Sequence, residues 1–490
     1  MKRRDFLKAA SALAAWAASS QWQAHLHLAN AGALALRPDG EGAAPNALPS
    51  KEAWLVANRL MFGPRPEDAA HIEQIGTDAF IEEQLAHTAI DDSAFNTRLA
   101  AQTQLQDTLT LSANDLYESH RPPELHQDLA QATLLRAAYS RRQLFEVVVD
   151  FWTNHFNIFF NKNGCPYLKP VDDRAAMRPY ALGKFRDLLG ASAHSPAMMA
   201  YLDNNTNKKR KPNENYGREL MELHTLGVDG GYTQQDVLEV ARAFTGWTYV
   251  PLASGAANAG EFSFTANQHD EAAKIVLGTA LPANGGSQDA EKVMDLLASH
   301  ANCATFISTK LARRFVADTP PASVVQTGAQ AFAQSKGDIK ATLGAILHST
   351  EFKQSFGQKM KRPLEYIVSA LRATLAESNC GTPVHDFLEL MGQPLFQWNA
   401  PNGYPDVRGA WGGASVLLAR WNFATALAAN AMTGTTLSLA DLNKGVDALA
   451  AQLLGLALPA EVKTALAPFE ADPSALMALL IASPQFQMRG

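Results

Sequence analysis

The helical spacing of its apolar residues is the feature that most constrains this chain of 490 residues. After a linker rich in Pro, Gly and Ala at about 36–50, apolar positions recur mostly every three or four residues. This spacing predicts helices near 52–61, 78–87, 124–139, 141–160, 180–190, 196–202, 216–226 and 234–244.

The helical pattern is interrupted over residues 247–280. There "FSF" and "IVL" stand among glycines, which predicts a short β excursion or a long ordered loop. Helical patterning returns from 288 to 490. The sequence therefore predicts a mainly α fold, a large irregular multi-helix body in one domain over 51–490, with a short β excursion near 247–280.

Composition excludes some classes of protein. Hydrophobic residues make up 47% and charged residues 18% of the chain, as in ordinary globular proteins. The formal net charge is −6 and no basic stripe is present, so nucleic acid is not an expected partner. The single basic cluster, "KKRK" at 208–211, lies in an Asn-rich stretch and is interpreted as a solvated loop rather than a phosphate-binding patch.

The N-terminus, "MKRRDFLKAASALAAWAASS", resembles a twin-arginine export signal. Arg3 and Arg4 are followed by Phe6, Leu7 and Lys8 and then by an alanine-rich run. That run is too short and too weakly apolar for a membrane span, so we predict no transmembrane anchor. Residues 1–35 are interpreted as a signal read by the twin-arginine machinery, which exports folded proteins to the periplasm or beyond. An uncleaved amphipathic helix is the alternative.

The stretch "GRELMELHTLGV" at 217–228 carries the first candidate site. On an ideal helix Arg218, Glu222 and Glu219 fall at about 0°, 40° and 100°, so the two acids share a face. His224 falls at about 240°, in the last turn, where a histidine favours the negative helix end. The acids are predicted either to converge on an ion or substrate or to form salt bridges, and His224 to be structural.

Histidines elsewhere could complete such a site. His155 lies in "DFWTNHFNIFF" and His194 in "ASAHSPAMMAYLDNN", and a histidine beside two helical glutamates is how helical bundles build metal sites. In "NQHDEAAK", His269 and Asp270 either cap a loop or transfer a proton. The three cysteines are far apart and predict neither a zinc knuckle nor a disulfide framework.

Several of these blocks together resemble one bacterial family, called domain of unknown function 1800. The blocks are "FWTNHF", "HSPAMMAYLDNN", "NENYGRELMELHTLGVDGGYTQQDVLEVARAFTGW", "HDEAAKIVLG" and "GYPDVRGAWGG", in this order. His155 fills the histidine of the family's Trp-x-x-His-Phe pattern. The central block is matched at Asn213, Glu214, Arg218, Glu219, Glu222, His224, Tyr232, Asp236, Arg242, Thr245 and Trp247.

The resemblance implies an exported protein, encoded near a second exported family related to sulfatases and phosphatases, but it implies no reaction. Our first hypothesis is a metal-assisted envelope hydrolase acting on a polymer or glycan. The divalent metal ligands would be Glu219, Glu222, His155 and His194, and the catalytic residues His269, Asp270 and Arg218.

The alternative hypothesis is a non-catalytic envelope protein for binding or assembly. The aromatic loop at 393–413 is expected either to cover a core or to line a cleft. Under this hypothesis it would dock a glycan or the neighbouring exported sulfatase- or phosphatase-like protein. The residues predicted to bind such a ligand are Trp398, Tyr404, Trp411 and Asn213.

Overall fold

A computed structural model describes residues 48–438 and 445–490, with a few isolated positions between 8 and 15. Apart from those isolated positions, the predicted signal and most of the linker lie outside the described residues. The described part contains 24 α-helices and six short strands, which confirms the mainly α fold. Within this part, no helix combines the length and apolar character needed to cross a lipid bilayer.

The first half of the described chain is helical up to residue 243. Its helices are α1 (Lys51–Leu60), α2 (Pro66–Ile75), α3 (Thr77–Leu85), α4 (Ser93–Ala100), α5 (Gln106–Thr110), α6 (Ala113–Ser119), α7 (Pro122–Tyr139), α8 (Gln143–His155), α9 (Cys165–Asp172), α10 (Phe185–His194), α11 (Pro196–Tyr201), α12 (Glu214–Glu219) and α13 (Gln234–Ala243). A π-helical segment, Leu220–Thr225, continues α12, and another, Asp173–Met177, continues α9.

The second half begins with the β excursion and then returns to helix. The strands are β1 (Trp247–Tyr249), β2 (Phe262–Phe264), β3 (Lys274–Val276), β4 (Thr279–Leu281), β5 (Glu377–Ser378) and β6 (Thr435–Thr436). The helices are α14 (Gln288–Ser299), α15 (Ala301–Phe315), α16 (Ala322–Gln334), α17 (Ile339–Leu347), α18 (Thr350–Lys353), α19 (Pro363–Ala373), α20 (Thr382–Leu390), α21 (Ala414–Ala428), α22 (Gly445–Leu454), α23 (Ala460–Leu466) and α24 (Pro473–Ala482).

The strands pair only as two-stranded antiparallel ladders: β1 with β2, β3 with β4 and β5 with β6. In the first ladder Trp247 lies opposite Phe264, and in the second Lys274 lies opposite Leu281. The predicted β excursion is therefore present, as two hairpin-like ladders that pack on the helices. Short ladders of this size depend on such packing for their stability.

Local sequence explains why α13 begins and ends where it does. The Thr233 hydroxyl accepts a hydrogen bond from the N–H of Asp236, and the Asp236 carboxylate accepts one from the N–H of Thr233. This reciprocal capping box satisfies N–H groups that have no partner within the helix. Gly246 follows the helix with φ +82°, a left-handed conformation that favours glycine.

A buried ionic network ties the C-terminal segment to the helical core. Glu365 on α19 accepts from Arg314 and Arg362 and lies 3.4 Å from a guanidinium nitrogen of Arg489. These three guanidinium groups hold the pKa of the Glu365 carboxyl well below its usual range, although burial opposes this. Arg362 also pairs with Asp150 on α8, so the network reaches the helix that carries His155.

Candidate functional site

The helix that carries the candidate acids changes its winding at residue 220. The N–H of Leu226 donates to the carbonyl of Met221 at 2.8 Å, an i to i+5 bond, and the Thr225 hydroxyl donates to the carbonyl of Leu220 at 2.6 Å. Such wide turns often occur at functional sites. The ideal-helix angles assigned to Glu222 and His224 are therefore wrong in detail, because the extra residue in the turn rotates both positions relative to Glu219.

His224 and the two acids occupy different environments. The His224 ring is 1% exposed and packs against His155 and Phe156, with ring centroids 6.0 and 5.0 Å away. Neither ring nitrogen has a hydrogen-bond partner among the described residues, and burial lowers the pKa of His224 to about 3. Glu219 and Glu222 are partly exposed. The histidine is thus part of the packed interior, whereas the acids are accessible to a ligand.

Glu219 is a half-buried carboxyl group without a direct partner. Among the described residues it has no hydrogen bond or ion pair, because Arg218 donates to Glu214 and Gln234, both at 2.9 Å. Burial, and secondly the charge of Glu222, raise the pKa of Glu219, while Arg218 acts weakly in the opposite direction. A carboxyl group with this environment holds a proton at higher pH than an ordinary glutamate.

Glu222, unlike Glu219, has direct partners. Its carboxylate lies 3.7 Å from Arg218 and also interacts with the Tyr232 hydroxyl. Burial and the Glu222 charge raise the pKa of Tyr232 to about 12, so the phenol stays protonated and can donate to the carboxylate. The pair therefore consists of one partnered and one unpartnered carboxyl group, whose environments differ.

Tyr201 connects the acid pair to the aromatic loop. Its hydroxyl donates to the carbonyl of Asn399 at 2.7 Å. Burial and the Glu219 charge both raise the pKa of Tyr201, so Glu219 lies within electrostatic reach of this loop. Asn157 donates from its side-chain amide to the carbonyls of Trp398 and Ala400, at 3.0 and 2.8 Å. The loop is thereby fixed by one group that follows α8 and one that ends α11.

Three of the four residues predicted to bind a ligand lie in or near this loop. Trp398 is partly exposed, packs against Tyr404 with ring centroids 4.8 Å apart and the rings tilted by 47°, and donates from its indole N–H to Asn402. Tyr404 and Trp411 are 8% and 4% exposed and bond to carbonyls within the loop, so they stiffen it from inside. Trp398 is therefore the aromatic side chain that the loop presents for contact.

Asn213, the fourth, caps α12 and does not face the loop. Its side-chain oxygen accepts from the N–H of Asn215, and its amide nitrogen donates to the carbonyl of Asp203. These contacts fix the start of the helix that carries Glu219. A direct role of Asn213 in binding stays a prediction.

A small cleft of about 50 Å³, partly open to solvent, lies where the loop meets α7, α8 and α9. Its polar lining includes Glu146, Asp150, Thr153, Asn154, Asn157, Lys169, Asp173, Arg178, Gln393 and Tyr404. The acids of this lining are already paired: Glu146 with Arg178, Asp150 with Arg362, and Asp173 with Arg136. The cleft offers hydrogen bonds and apolar surface rather than a free acid or base.

The predicted metal ligands are not assembled into one site. His155 is 1% exposed, with Lys310 donating to Nδ1 at 2.8 Å and Nε2 donating to the His224 carbonyl at 3.1 Å. His194 contacts the carbonyl of Gly190 and the carboxylate of Glu291 instead. Within 48–438 and 445–490, no three His, Cys, Asp or Glu side chains could hold one ion. The residues present therefore do not fit a shared metal ion.

The two residues predicted to transfer a proton tie the β3–β4 ladder to its neighbours. His269 is fully buried, with Nδ1 2.7 Å from the Thr245 carbonyl and Nε2 3.3 Å from Asp289. Asp270 forms an ion pair with Arg242 at 2.8 Å, and this arginine lowers the pKa of Asp270. These contacts match the loop-capping alternative, while the catalytic role of both residues stays a prediction.

Sequence reasoning missed Lys310, Tyr201 and Asn157. Lys310 is partly exposed, and desolvation lowers its pKa to about 8. Its helix, α15, has an ordinary amphipathic pattern that gives no sign of a contact with His155. Asn157 lies in the motif "DFWTNHFNIFF" and Tyr201 in "HSPAMMAYLDNN". Both contact a loop about 200 or more residues further along the chain, which no local motif can indicate.

A comparison with protein-family models supports the family resemblance that these motifs carry. A family model described as a protein of unknown function, DUF1800, matches residues 55–488. The chain belongs to the DUF1800 family. The match covers α8, the acid pair, the β ladders and the aromatic loop. No match was found among the curated proteins or among the solved structures. The site of this DUF1800 protein is therefore interpreted from its own geometry.

Proposed function

We propose that this DUF1800 protein is an exported envelope hydrolase that acts on a polymer or glycan, with Glu219 as the proton-transferring residue. The observation that carries the proposal is the carboxyl group of Glu219, half-buried, without a direct partner and with a raised pKa. A carboxyl group whose pKa is raised by burial and by a neighbouring charge is typical of acid–base sites. Glu222 supplies the neighbouring charge.

Hydrolysis of a glycosidic bond needs a proton on the leaving oxygen. In the proposed step, protonated Glu219 donates to the bridging oxygen as the carbon–oxygen bond breaks. The oxygen of a water molecule bonds to the carbon, and its surplus proton returns to the Glu219 carboxylate. Trp398 would bind the sugar rings, since an indole face packs well on the apolar faces of sugars and its loop lies within electrostatic reach of Glu219.

Release of new chain ends from isolated envelope glycan tests this proposal. We expect wild-type protein to release reducing ends, and Glu219→Gln to lower the rate by about 100-fold or more, the usual contribution of a general acid. The Glu214→Gln variant is the matched control, because Glu214 lies on the same helix but is paired with Arg218. Equal rates for wild type and Glu219→Gln would refute the role of Glu219.

Export is part of the same proposal. It is supported by the resemblance of residues 1–35 to a twin-arginine signal. Replacing Arg3 and Arg4 with lysine should retain the protein in the cytoplasm, whereas Lys292→Gln, at an exposed position outside residues 1–35, should leave export unchanged. Export of the double lysine variant at the wild-type level would contradict this assignment.

A second candidate function is binding without catalysis, in envelope assembly. It is favoured by the cleft at α8, whose acids Glu146, Asp150 and Asp173 are all held in ion pairs. If the protein only binds, envelope glycan fragments should raise its thermal stability. The Glu219→Gln variant should show the same increase, and wild type should release no chain ends. Chain-end release by wild type would reject this candidate.

A further inference from the structure

The "KKRK" segment forms an ordered turn with four exposed cations. Lys208 and Lys211 face each other in an antiparallel bridge, with the N–H of Lys211 donating to the carbonyl of Lys208 at 2.9 Å. The N–H of Lys209 donates to the carbonyl of Gln268 at 2.8 Å. All four side chains, Arg210 included, are exposed. The interpretation as a solvated loop is therefore incomplete, because the backbone of this turn is fixed to the protein.

Buried Asn207 anchors the turn at its base. Its side-chain amide donates to Asn204 and to the carbonyl of Ala241, and its side-chain oxygen accepts from the N–H of Asn213. A backbone fixed in this way presents its side chains from a constant position. Less ordering is then needed on binding than for a free loop.

The four cations have no acidic partner among the described residues. Nearby carboxylates are already occupied: Asp203 by Lys162 at 2.9 Å, Glu214 by Arg218 at 2.9 Å, and Asp270 by Arg242 at 2.8 Å. The chain as a whole carries a net charge of −6, so this turn is a local positive site on an acidic protein. Its charge is available to an external anion.

The turn immediately precedes the helix that carries Glu219. Asn213, which caps α12, follows the turn by two residues, and the rise from Asn213 to Glu219, six positions later, is about 9 Å along a helix axis. A polymer bound at Glu219 could therefore extend over α12 and place a charged group at the turn. A single sugar at Glu219 would be too short to do so.

We propose that Lys208, Lys209, Arg210 and Lys211 bind an anionic segment of a polysaccharide whose neighbouring unit lies at Glu219. This inference rests on the proposed function in naming a polysaccharide, and it adds that the substrate carries carboxylate or phosphate groups. Each exposed lysine or arginine adds little to the binding affinity by itself. Four of them on one fixed turn can bind several anionic groups of the same polymer at once.

Polygalacturonate, a polymer of carboxylated sugars, is the probe that tests this site. At low ionic strength it should bind full-length protein, and binding should weaken as salt is added, because salt screens exposed charges. Neutral dextran should not bind at the turn. Replacing Lys208, Lys209, Arg210 and Lys211 with Gln should weaken polygalacturonate binding by roughly tenfold or more.

The matched control removes four exposed cations elsewhere, at Arg141, Lys292, Lys336 and Lys340. It changes net charge equally and should leave polygalacturonate binding within about twofold of wild type, since distant exposed charges are screened. Equal weakening by both variants, or absence of binding to wild type, would overturn the proposal. So would tighter binding to vesicles of phosphatidylglycerol and phosphatidylcholine than to polygalacturonate, because the turn would then recognise a membrane.

A further variant separates this inference from the proposed function. Glu219→Gln should bind polygalacturonate at least as well as wild type, because it removes a negative charge and leaves the turn intact. If Glu219→Gln binds normally and no envelope glycan is hydrolysed by wild type, the hydrolase proposal fails while the anion site stands. Loss of binding in the Glu219→Gln variant would show that the turn is not the binding determinant.

Discussion

Asn154 holds Tyr404 through both ends of its side-chain amide. The amide nitrogen donates to the Tyr404 carbonyl at 2.9 Å, and the amide oxygen accepts from the Tyr404 N–H at 2.7 Å. The pair joins α8 to the aromatic loop across 250 positions of the chain. One side chain thus satisfies two backbone groups of an irregular loop, which is why this loop can lie in a fixed position beside a cleft.

Removal of this contact should loosen the loop. We expect Asn154→Ala to lower the free energy of unfolding by about 1–3 kcal/mol, because two backbone groups lose their partner. Asn161→Ala is the control: Asn161 is exposed and, among the described residues, its side chain donates only to the side chain of Gln397, so its loss should cost less than about 0.5 kcal/mol. Urea unfolding of both variants checks this. Equal stability of the two would contradict the structural role of Asn154.

Gly403, beside this contact, should not accept a side chain. Its φ is +72°, and a Cβ atom there would lie 2.2 Å from the carbonyl oxygen of Asn154. Gly403→Ala should therefore lower the free energy of unfolding by about 2 kcal/mol or more. Gly412→Ala in the same loop meets ordinary contact distances and should change it little. A thermal denaturation series shows whether the two glycines differ.

His224 should make the protein sensitive to acid. Its folded-state pKa of about 3 lies below the unfolded value of about 6.5, so the unfolded chain takes up a proton first as the pH falls. The contribution of neutral His224 to the free energy of unfolding is fully present above pH 6.5. At pH 5 this contribution should be about 2 kcal/mol smaller.

The variant His224→Phe keeps the ring volume and removes the titrating group. Its unfolding free energy should therefore fall less than that of wild type between pH 7 and pH 5, as measured by urea unfolding at each pH. Phe306→Leu, which removes a nearby ring that does not titrate, is the control and should retain the wild-type dependence. Unchanged acid sensitivity in His224→Phe would show that other groups account for it.

Glu365 should be a main determinant of stability. Replacing it with Gln would leave the buried guanidinium groups of Arg314, Arg362 and Arg489 without their shared carboxylate. Breaking a buried ion pair in this way costs about 3–5 kcal/mol. Glu377→Gln breaks the exposed pair with Arg98 and should cost less than about 1 kcal/mol. Similar urea midpoints for the two variants would contradict this account.

Sequence patterning located several of the helices because their signals are local, although it predicted none at α2, α4, α5, α6 or α9. The helix predicted at 124–139 corresponds to α7 at Pro122–Tyr139, and the helix predicted at 234–244 corresponds to α13 at Gln234–Ala243. The β excursion was also visible, since its glycines interrupt a helical period. These features depend on neighbours within a few residues, which a single sequence contains.

The candidate site was only partly predictable, for a physical reason. The stretch at 217–228 was recognised as important, but a wide turn cannot be distinguished from an α-helix by apolar spacing, so the angles of Glu222 and His224 were misjudged. The pairing of His155 with Lys310 joins positions 155 residues apart. Such contacts arise from packing, and no local pattern contains them.

The ionisation of Glu219 tests the central claim most directly. Glutamate side chains labelled with ¹³C at the carboxyl carbon can be titrated by NMR, and Glu219→Gln identifies the Glu219 signal. We predict that Glu219 titrates at a higher pH than an ordinary glutamate, and that Glu222→Gln moves its pKa back towards the ordinary value. A Glu219 signal that titrates at or below the ordinary value, and that Glu222→Gln leaves unchanged, would contradict the account.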